Sequence, residues 1–429
     1  MVAGKFPKLF LKILLTNPVP VSAFLCALLF YSGFVQVKDR QSFVCLFSSD
    51  EIQFLEGAVS SNPVRLSKNQ DLYSADFLVT KAVTKKNQTA SCKGTVSLLI
   101  PASIVEALYP GKIYTRIKET SSENCLIESG ISICAEVESG GDSFFKVKRV
   151  FKSSENMKDS FFIRIRALCR LQFKRLMYGW GEAGGLLLAL LTASREYTDP
   201  VLSEAFRNAG LSHILALSGM HLSLFGGLAF FISSRIARRN MADFFELAAI
   251  VFFVWFAGAG PSLIRALISA VILFINSSLR MKRFKGITVL SATFLIHLMI
   301  YPHHLKTAAF MLSYGALTGI MTFGSLFKLL LSRRFIPKLS SALSESAGAQ
   351  LMTSPVTWSM FKKLTPVGIA ASVAVSPLVI LFLYLGLAGT FLCLLMPFLS
   401  TVFNVIMNCL YFIIKNTVIF FSHFPSIGS

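Results

Sequence analysis

Charged residues are scarce in this chain of 429 residues. Only 15% are Asp, Glu, Lys or Arg, compared with roughly 25% in soluble globular domains, whereas 54% are hydrophobic. The mean hydropathy is +0.63. This composition is typical of polytopic α-helical membrane proteins, and the apolar runs predict about eight to ten membrane segments.

The sequence also lacks the motifs of common catalytic and metal-binding sites. It has no P-loop, no nuclease motif and no C-x-x-C pair among its eight cysteines. The adjacent His303 and His304 have no third ligand nearby in the sequence, so we interpret them as an exposed loop pair. We therefore expect no metal, no cofactor and no enzymatic activity. Four cysteines lie in a polar region and would permit disulfides in an oxidising compartment, with a pairing that the sequence leaves open: Cys45, Cys92, Cys125 and Cys134.

The net charge of +20 is unevenly distributed. Residues 38–160 contain 16 Lys or Arg and 15 Asp or Glu, so this region is nearly neutral. The basic excess lies beside hydrophobic segments, where the positive-inside rule is a sufficient explanation. The charge alone therefore does not indicate a nucleic-acid-binding protein.

The pattern of hydrophobicity divides the chain into four parts. Residues 1–37 are predicted to form an uncleaved transmembrane anchor, for which a cleaved signal peptide is the alternative. Residues 38–160 alternate short apolar runs with turn residues, which predicts a small β-barrel or sandwich. Residues 161–180 are predicted to form an amphipathic helix, and residues 181–429 contain the remaining membrane segments.

One face of the predicted helix 161–180 is basic. Arg166, Arg170 and Lys174 recur every four residues, while apolar residues occupy another face. This pattern is typical of an interfacial helix that lies along the membrane and binds anionic lipid. A contact with DNA is the alternative.

Clusters of Lys and Arg recur after each pair of hydrophobic segments between residues 235 and 338. Each pair of segments crosses the membrane outward and then back, so every basic cluster lies on the same side of the membrane. The positive-inside rule identifies that side as the cytoplasm. Residues 38–160 are then extracytoplasmic. Beyond Lys338, prolines interrupt the pattern, and we predict four segments there: Ala342–Phe361, Val367–Leu385, Leu387–Leu399 and Val402–Phe421.

The segment 210–227 is apolar but contains polar side chains where a membrane helix usually has none. It reads G-L-S-H-I-L-A-L-S-G-M-H-L-S-L-F-G-G and includes His213, Ser218 and His221. Polar groups at bilayer depth usually face the interior of a bundle or a water-filled path. Hydrogen bonding between helices is the alternative. Gly219 weakens the helix beside Ser218, so a broken helix is possible here.

Arg265 is a second polar residue within a hydrophobic segment. It lies just after Pro261, at the beginning of a predicted helix. Arginine inside a membrane segment is a functional candidate by default, although near a helix end it can extend to the interface instead.

The segment 210–221 resembles the signature of ComEC-type competence proteins, whose pattern is approximately G-L-x-H-L-L-A-I-S-G-L-H. The matching residues are Gly210, Leu211, His213, Ala216, Ser218, Gly219 and His221. Pro261–Ala266 matches the P-S-x-x-R-A block of the family, and Ala347–Ser354 resembles its A-x-Q-L-A-T-x-P block, with Gln350 as the matched polar residue. The family also has a block of the pattern A-L-L-L-G-x-R, which corresponds to the stretch of this chain that ends at Arg195. Asp199 is a plausible cap of the helix that follows.

The chain departs from the family pattern at several positions. Ala193 and Ser194 stand where Gly and Asp are usual. The other departures are Tyr301 for Asp, Ala309 for Gly, Met311 for Gln and Ser372 for Asn. The sequence also contains no H-x-H-x-D-H site, which belongs to the metallo-β-lactamase-like domain of many family members.

The resemblance implies a channel of the bacterial inner membrane that passes one strand of DNA inward during natural transformation. It further implies an OB-like fold for residues 38–160 and a channel domain in residues 181–429. The polar path would be lined by His213, Ser218, Gly219, His221, Arg265 and Gln350, with Arg195 and Asp199 as secondary residues. The implied partners are single-stranded DNA, membrane lipid, a competence DNA receptor and a cytoplasmic helicase-like motor.

Two other functions are compatible with the sequence. A membrane-embedded enzyme that acts on a lipid-linked or small substrate would use the Ser and His residues as acid, base or nucleophile. A family relative that does not conduct DNA would act as a scaffold for other envelope proteins. The sequence does not indicate an oligomeric state.

Overall fold

A computed structural model of the protein describes residues 18–32, 43–66, 71–110, 125–141, 144–152, 160–194, 197–236, 239–279, 284–332 and 336–428. The elements up to the barrel's end are α1 Pro18–Tyr31, β1 Ile52–Val59, β2 Val64–Arg65, β3 Leu72–Thr84, β4 Thr89–Ser91, β5 Thr95–Pro101, α2 Ala102–Val105, β6 Ser132–Ser139 and β7 Phe144–Lys152. The helices that follow are α3 Phe161–Gly179, α4 Gly181–Thr192, α5 Pro200–Asn208, α6 Ser212–Leu215, α7 Gly219–Ile236, α8 Arg239–Ala257, α9 Pro261–Ser278, α10 Gly286–Ile300, α11 Ala308–Gly319, α12 Ser325–Leu331, α13 Pro337–Phe361, α14 Gly368–Leu395 and α15 Ser400–Ser422.

The chain divides into two compact units. One contains residues 1–38, 202–379 and 414–429, and we call it the helical unit. The other contains residues 39–201 and 380–413, and we call it the barrel unit.

The barrel unit contains a closed five-stranded β-barrel. Neighbouring strands follow the order β1-β6-β7-β5-β3, and the pairing of β3 with β1 closes the ring. All contacts around the ring are antiparallel except that between β5 and β7, which is parallel. Alternate side chains fill the barrel, as in β5, where Val96, Leu98 and Ile100 are buried. The small β domain predicted for this part of the sequence is present.

Helix α3 packs its basic face into protein, which corrects the prediction of an interfacial basic face. The side chains of Arg170 and Lys174 are each only 1% exposed. Both contact the carboxylate of Glu128, at 2.9 Å from the Arg170 Nε and 2.6 Å from the Lys174 Nζ. Arg166 lies nearby and donates to the backbone oxygen of Ser129 at 2.8 Å. The basic stripe therefore holds the helix against the segment that precedes β6, and its two buried cations are not available to lipid or DNA.

Trp180, the residue between α3 and α4, contacts the beginning of α15. Its indole is fully buried and donates through Nε1 to the Ser400 hydroxyl at 3.1 Å, while its ring stacks on Phe403. The Asn408 amide donates to the Trp180 carbonyl at 3.1 Å. This tryptophan thus satisfies its polar atoms inside an apolar contact, as buried indoles generally do.

Within the described residues, four helical stretches are long and apolar enough to cross a membrane: Pro261–Ser278, Ala308–Leu331, Gly368–Leu395 and Pro397–Ser422. Shorter apolar helices cover Val19–Tyr31, Gly181–Thr192 and Gly286–Ile300. These stretches agree with the predicted membrane class. The end of the first predicted span, after residue 32, lies outside the described residues.

The prediction of separate segments Val367–Leu385 and Leu387–Leu399 is wrong, because α14 runs through both. Gly386, which lies between the two predicted segments, is a point of close packing, since a Cβ added there would lie 2.6 Å from Leu187. Small residues in membrane helices commonly mark such contacts. Pro377 also lies inside this helix.

In the helical unit, α11 and α13 cross at a pair of glycines. A Cβ added to Gly319 would lie 2.2 Å from the carbonyl oxygen of Gly348, and one added to Gly348 would lie 2.8 Å from that of Gly319. The backbones therefore approach so closely that neither position has room for a side chain. Such small-residue contacts permit van der Waals packing between helices in a membrane.

We expect Gly319→Leu to separate these helices and to destabilise the protein by about 2 kcal/mol, because overpacking of a tight contact typically costs 1–3 kcal/mol. Thermal unfolding of the detergent-solubilised protein measures the effect. Gly227→Leu is the matched control, since no atom lies within 4 Å of a Cβ added there. Equal stability of the two variants would contradict the close contact.

Candidate functional site

The polar segment 210–221 is not one continuous helix. The short helix α6 ends at Leu215, Ala216 has extended backbone angles, and α7 begins at Gly219. The interruption lies immediately before the Ser218-Gly219 pair, where the sequence predicted a weak point. The break leaves the first backbone N–H groups of α7 without partners in the helix itself.

His221 folds back onto the beginning of its own helix. Its Nδ1 accepts a hydrogen bond from the backbone N–H of Ser218 at 3.2 Å and lies 3.2 Å from the Ser218 hydroxyl. This arrangement caps the helix, with the side chain at the third position reaching back to the residue that precedes the helix. Because Nδ1 accepts, the neutral imidazole carries its proton on Nε2. That atom is buried and has no hydrogen-bond partner among the described residues.

Arg265 reaches the same helix end from α9. Its Nε donates to the Ser313 hydroxyl of α11 at 2.8 Å. Its Nη2 lies against Gly219, where an added Cβ would approach to 2.7 Å. The absence of a side chain at Gly219 thus permits a buried guanidinium, 8% exposed, to lie at the first residue of α7.

The electrostatics of this cluster favour an anion. The N-terminus of a helix has a partial positive charge and offers N–H groups that bind phosphates and carboxylates. The Arg265 guanidinium adds a full positive charge at the same place, and His221 adds an unpaired N–H donor. No acidic side chain is among the described hydrogen-bond partners of either residue. We call Ser218, Gly219, His221, Arg265 and Ser313 the helix-start cluster.

Gln350 belongs to a second cluster of the helical unit. Its Nε2 donates to the backbone oxygen of Thr365 at 2.7 Å. Gly210, which has a positive φ of 72°, packs against the same residue, since an added Cβ would lie 2.2 Å from the Thr365 hydroxyl. Nearby, Lys363 donates to the Asn208 amide oxygen at 2.8 Å. The predicted Gln350 therefore fixes a loop against the signature segment.

Three predicted residues remain: His213, Asp199 and Arg195. His213 is on the short helix α6 and is exposed. Asp199 acts as predicted at the start of α5, where its carboxylate accepts from the Val201 N–H at 2.9 Å. Arg195 lies outside the described residues.

A buried histidine on α10 is an important polar residue that the sequence analysis did not single out. His297 is 0% exposed, and its Nδ1 lies 3.2 Å from the Tyr314 hydroxyl. Its Nε2 lies 3.0 Å from the Nδ1 of His304. His303 is exposed as predicted, but His304 is half-buried and pairs with His297, so the interpretation of both as an exposed pair is wrong for His304. The histidine in the otherwise uncharged, mostly apolar run of α10 was the available signal.

The structure also shows the conformation and contacts of two residues that depart from the family pattern, Ala193 and Ser194. Ala193 ends α4 in the left-handed conformation, with φ 57°, where glycine is the preferred residue. The hydroxyl of the next residue, Ser194, accepts from the buried Arg170 Nη2 at 3.1 Å. An aspartate at that position would place a second carboxylate beside Arg170, which already contacts Glu128.

We expect Ala193→Gly to stabilise the protein by about 1 kcal/mol, because a non-glycine residue in the left-handed region costs roughly 1–2 kcal/mol. The midpoint of thermal unfolding is the measurement. Ala189→Gly, inside the same helix, is the control and should destabilise by a similar amount. A lower midpoint for Ala193→Gly would contradict the assigned backbone conformation.

Comparison with known proteins adds independent findings. The family model described as "Competence protein" matches residues 190–427. The ComE operon protein 3 of Bacillus subtilis (strain 168) is 27% identical over 148 residues, which are 34% of this chain and 19% of that protein. An uncharacterized protein of Aquifex aeolicus (strain VF5) is 30% identical over 202 residues, which are 47% of this chain and 46% of that protein. The chain thus matches less than half the length of either relative. No solved structure matches it significantly.

Proposed function

Because the chain belongs to the competence protein family, we propose that it takes part in DNA uptake during natural transformation, as a membrane path for a single strand. The family model covers residues 190–427, which include the helix-start cluster. The single observation that supports a path for DNA is the position of the Arg265 guanidinium at the N-terminus of α7.

Both features attract the phosphates of a nucleic acid backbone. Lysine and arginine neutralise phosphates without regard to base sequence, which suits a protein that passes any strand. Backbone N–H groups at a helix start add hydrogen bonds of the same kind. In this proposal Arg265 and the first turn of α7 contact successive phosphates. His221 caps the start of α7 through its Nδ1 and so keeps this end of the helix in place for the strand.

The orientation and partners are part of the same proposal. The protein lies in the bacterial cytoplasmic membrane, with the barrel on the outer side, as the basic clusters of the sequence indicate. The closed five-stranded barrel with one parallel contact resembles an OB-type barrel. A DNA receptor on the outside would supply the strand, and a cytoplasmic helicase-like motor would supply the energy.

The 3.2 Å approach of the Ser218 hydroxyl to His221 Nδ1 supports a second candidate, a membrane enzyme acting on a lipid-linked substrate. Proton transfer from serine to histidine is the first step of nucleophilic catalysis. However, the same Nδ1 accepts the Ser218 backbone N–H, so helix capping competes for that lone pair. Ser218→Ala distinguishes the candidates, since it removes a nucleophile but leaves the cationic site in place.

Deletion of the gene, followed by complementation, tests the proposed function. We expect the deletion strain to bind labelled duplex DNA at its surface and to accumulate no nuclease-protected strand. Complementation with the wild-type chain or with Ser218→Ala should restore uptake. Normal uptake in the deletion strain would exclude a required DNA path, and failure of Ser218→Ala alone would favour the enzyme.

Contact with the strand is tested by a photo-crosslinker attached to a new cysteine. A crosslinker on Ser218→Cys should label single-stranded DNA that is captured during uptake. The same crosslinker on Ser234→Cys, an exposed position at the other end of α7, is the matched control. The wild-type chain, with its eight native cysteines, gives the background. Equal labelling at both positions would contradict passage beside the helix-start cluster.

We expect Gly219→Ala to lower transformation roughly tenfold, because the added Cβ displaces the Arg265 guanidinium by crowding Nη2 at 2.7 Å. Loss of one well-placed contact of 1.4 kcal/mol corresponds to that factor. Gly227→Ala on the same helix is the control, because its Cβ would meet no atom. Transformation frequencies at equal protein levels provide the measurement, and equal values for the two variants would argue against the role of Gly219.

A further inference from the structure

A buried network of polar side chains attaches the segment between α10 and α11 to both helices. We call this segment, residues 301–307, the connector. His297 of α10 is 0% exposed, and its Nδ1 lies 3.2 Å from the Tyr314 hydroxyl of α11. Its Nε2 lies 3.0 Å from the Nδ1 of His304, which belongs to the connector. One histidine thus joins three consecutive elements of the helical unit.

Aromatic and apolar contacts surround the network. Tyr301 stacks on the His304 ring at 5.1 Å between centroids, and Phe310 lies against the His297 ring at 5.0 Å. Leu305, only 5% exposed, anchors the connector in the apolar cluster that also contains Phe310. An added charge on His297 would therefore be out of contact with water, which makes it costly.

The surroundings of His297 offer no counter-charge for an extra proton. Among the described elements, α1, α9, α11 and the connector pack against α10, and neither these segments nor α10 itself contains Asp or Glu. Besides His297, their titratable or charged groups are Cys26, Tyr31, Arg265, Tyr301, His303, His304, Lys306 and Tyr314. The Arg265 cation lies within electrostatic range of His297 and opposes a second positive charge there.

The hydrogen bonds of the network suit neutral imidazoles. A neutral imidazole has one donor and one acceptor nitrogen, so the bond between His297 and His304 needs a proton on only one of the two facing atoms. One added proton is compatible with these bonds, but it brings an uncompensated charge into the protein. Two added protons would place N–H groups against each other at 3.0 Å and break the bond. Acid therefore disfavours the attached state of the connector.

We propose that the network of His297, His304 and Tyr314 is a pH-sensitive latch, which holds the connector at neutral pH and releases it in acid. On release, protonated His304 leaves His297 and is hydrated at the surface, where the adjacent His303 already lies exposed. In the proposed orientation the connector lies on the outer side of the membrane, between two basic clusters that are cytoplasmic. The latch then responds to the pH of the medium.

The direction of the pH effect follows from His304. Burial, and then the neighbouring His303, lower the pKa of His304 below its ordinary value of about 6.5. The released or unfolded histidine consequently binds a proton more readily than the latched one does. The stabilisation by the latch is complete above the ordinary histidine pKa, and it is lost as the pH falls from there through the lower pKa of the latched state.

The latch lies beside the residues that position Arg265. Tyr314 follows Ser313, whose hydroxyl accepts from the Arg265 Nε at 2.8 Å. Thr307, the last residue of the connector, caps α11 by accepting the Phe310 N–H at 3.3 Å. Release of the connector therefore loosens the beginning of α11, which carries Ser313. Any effect on DNA passage rests on the proposed function, whereas the latch itself does not.

Thermal unfolding of the detergent-solubilised full chain tests the titration. It is measured at about pH 7.5 and about pH 5.5, one unit on either side of the ordinary histidine pKa. His304→Gln keeps a hydrogen-bonding side chain that does not titrate. On acidification we expect the wild-type midpoint to fall by about 2–4 °C more than that of His304→Gln. His423→Gln, which removes an exposed histidine of the same unit, is the matched control and should behave like the wild type.

A reporter cysteine tests release of the connector. Leu305→Cys places a thiol at a buried position of the connector, and Leu263→Cys places one at a buried position of α9 as a control. Mass spectrometry gives the alkylation rate at each position relative to that of the unfolded protein at the same pH, which corrects for ionisation of the thiol. In acid we expect the relative rate at position 305 to rise by up to about tenfold and that at position 263 to stay constant.

Each measurement can overturn the proposal. Equal losses of stability in the wild type and His304→Gln would exclude titration of the latch, and so would a loss in His423→Gln as small as that in His304→Gln. A relative rate at position 305 that does not change in acid, or an equal rise at position 263, would exclude release of the connector. If His304→Gln does not fold, the labelling of Leu305→Cys decides alone. None of these readouts depends on DNA uptake.

Discussion

Replacing Arg265 by Gln is expected to lower transformation by roughly 10- to 100-fold, the largest functional effect of any single change in the helix-start cluster. Hydrogen bonds to charged groups contribute about 1.5–3 kcal/mol, and each 1.4 kcal/mol corresponds to a factor of ten. The glutamine amide nitrogen reaches about as far as the Arg265 Nε, so it retains the contact with Ser313. It lacks the charged end of the guanidinium and therefore loses the attraction for phosphate. The number of transformants at saturating DNA measures the effect.

Two further variants sharpen this prediction. Arg265→Lys should retain part of the activity, since a positive charge remains but the planar fork is lost. Arg207→Gln is the matched control, because Arg207 is an exposed arginine that pairs with Glu204 at 3.5 Å. Full transformation by Arg265→Gln at normal protein levels would remove Arg265 from the proposed path.

The largest effect on stability is expected for Glu128→Gln, which should destabilise the barrel unit by about 3–5 kcal/mol. The variant removes the negative charge that the buried Arg170 and Lys174 both contact. Their side chains are 1% exposed, so water cannot compensate. The midpoint of thermal unfolding in detergent measures this loss. Glu138→Gln is the control, because its ion pair with Lys148 is exposed and such pairs contribute at most about 1 kcal/mol.

The dependence on pH follows from the same carboxylate. Burial by itself would raise the pKa of Glu128, but the neighbouring Arg170 and Lys174 outweigh it and hold that pKa below its ordinary value. The contribution of Glu128 is therefore complete above the ordinary glutamate pKa of about 4.3 and is lost as the pH falls through the lower, folded-state pKa. We expect the stability of the wild-type protein to approach that of Glu128→Gln in acid. If the difference in stability between the wild-type protein and Glu128→Gln grew in acid, this would contradict the ion pairs of Glu128.

Much of the helix-start cluster could be predicted from the sequence. The histidines in an apolar run stand out because membrane segments rarely contain ionisable residues, and Arg265 stands out for the same reason. The weak point at Ser218-Gly219 followed from the low helix propensity of glycine, and the helix does begin there. Single polar residues were harder to assess: His297 was passed over, and the contact of Gln350 with Thr365 was not foreseen.

The basic face of α3 shows the limit of periodicity. A spacing of four residues places Arg166, Arg170 and Lys174 on one side of a helix, but it does not specify what that side contacts. Lipid phosphate, DNA and a buried carboxylate all satisfy the same pattern. Glu128, the partner that decides the matter, lies 42 residues before Arg170 in the chain.

By itself, the sequence determined that this is a membrane protein with a small β domain and an interrupted polar segment, because hydropathy, alternation and helix propensity are properties of neighbouring residues. Only the tertiary structure decided that the basic stripe is internal, that Gly219 makes room for Arg265, and that His297 pairs with His304 and Tyr314. Each of these depends on contacts between residues far apart in the chain, which local patterns do not encode.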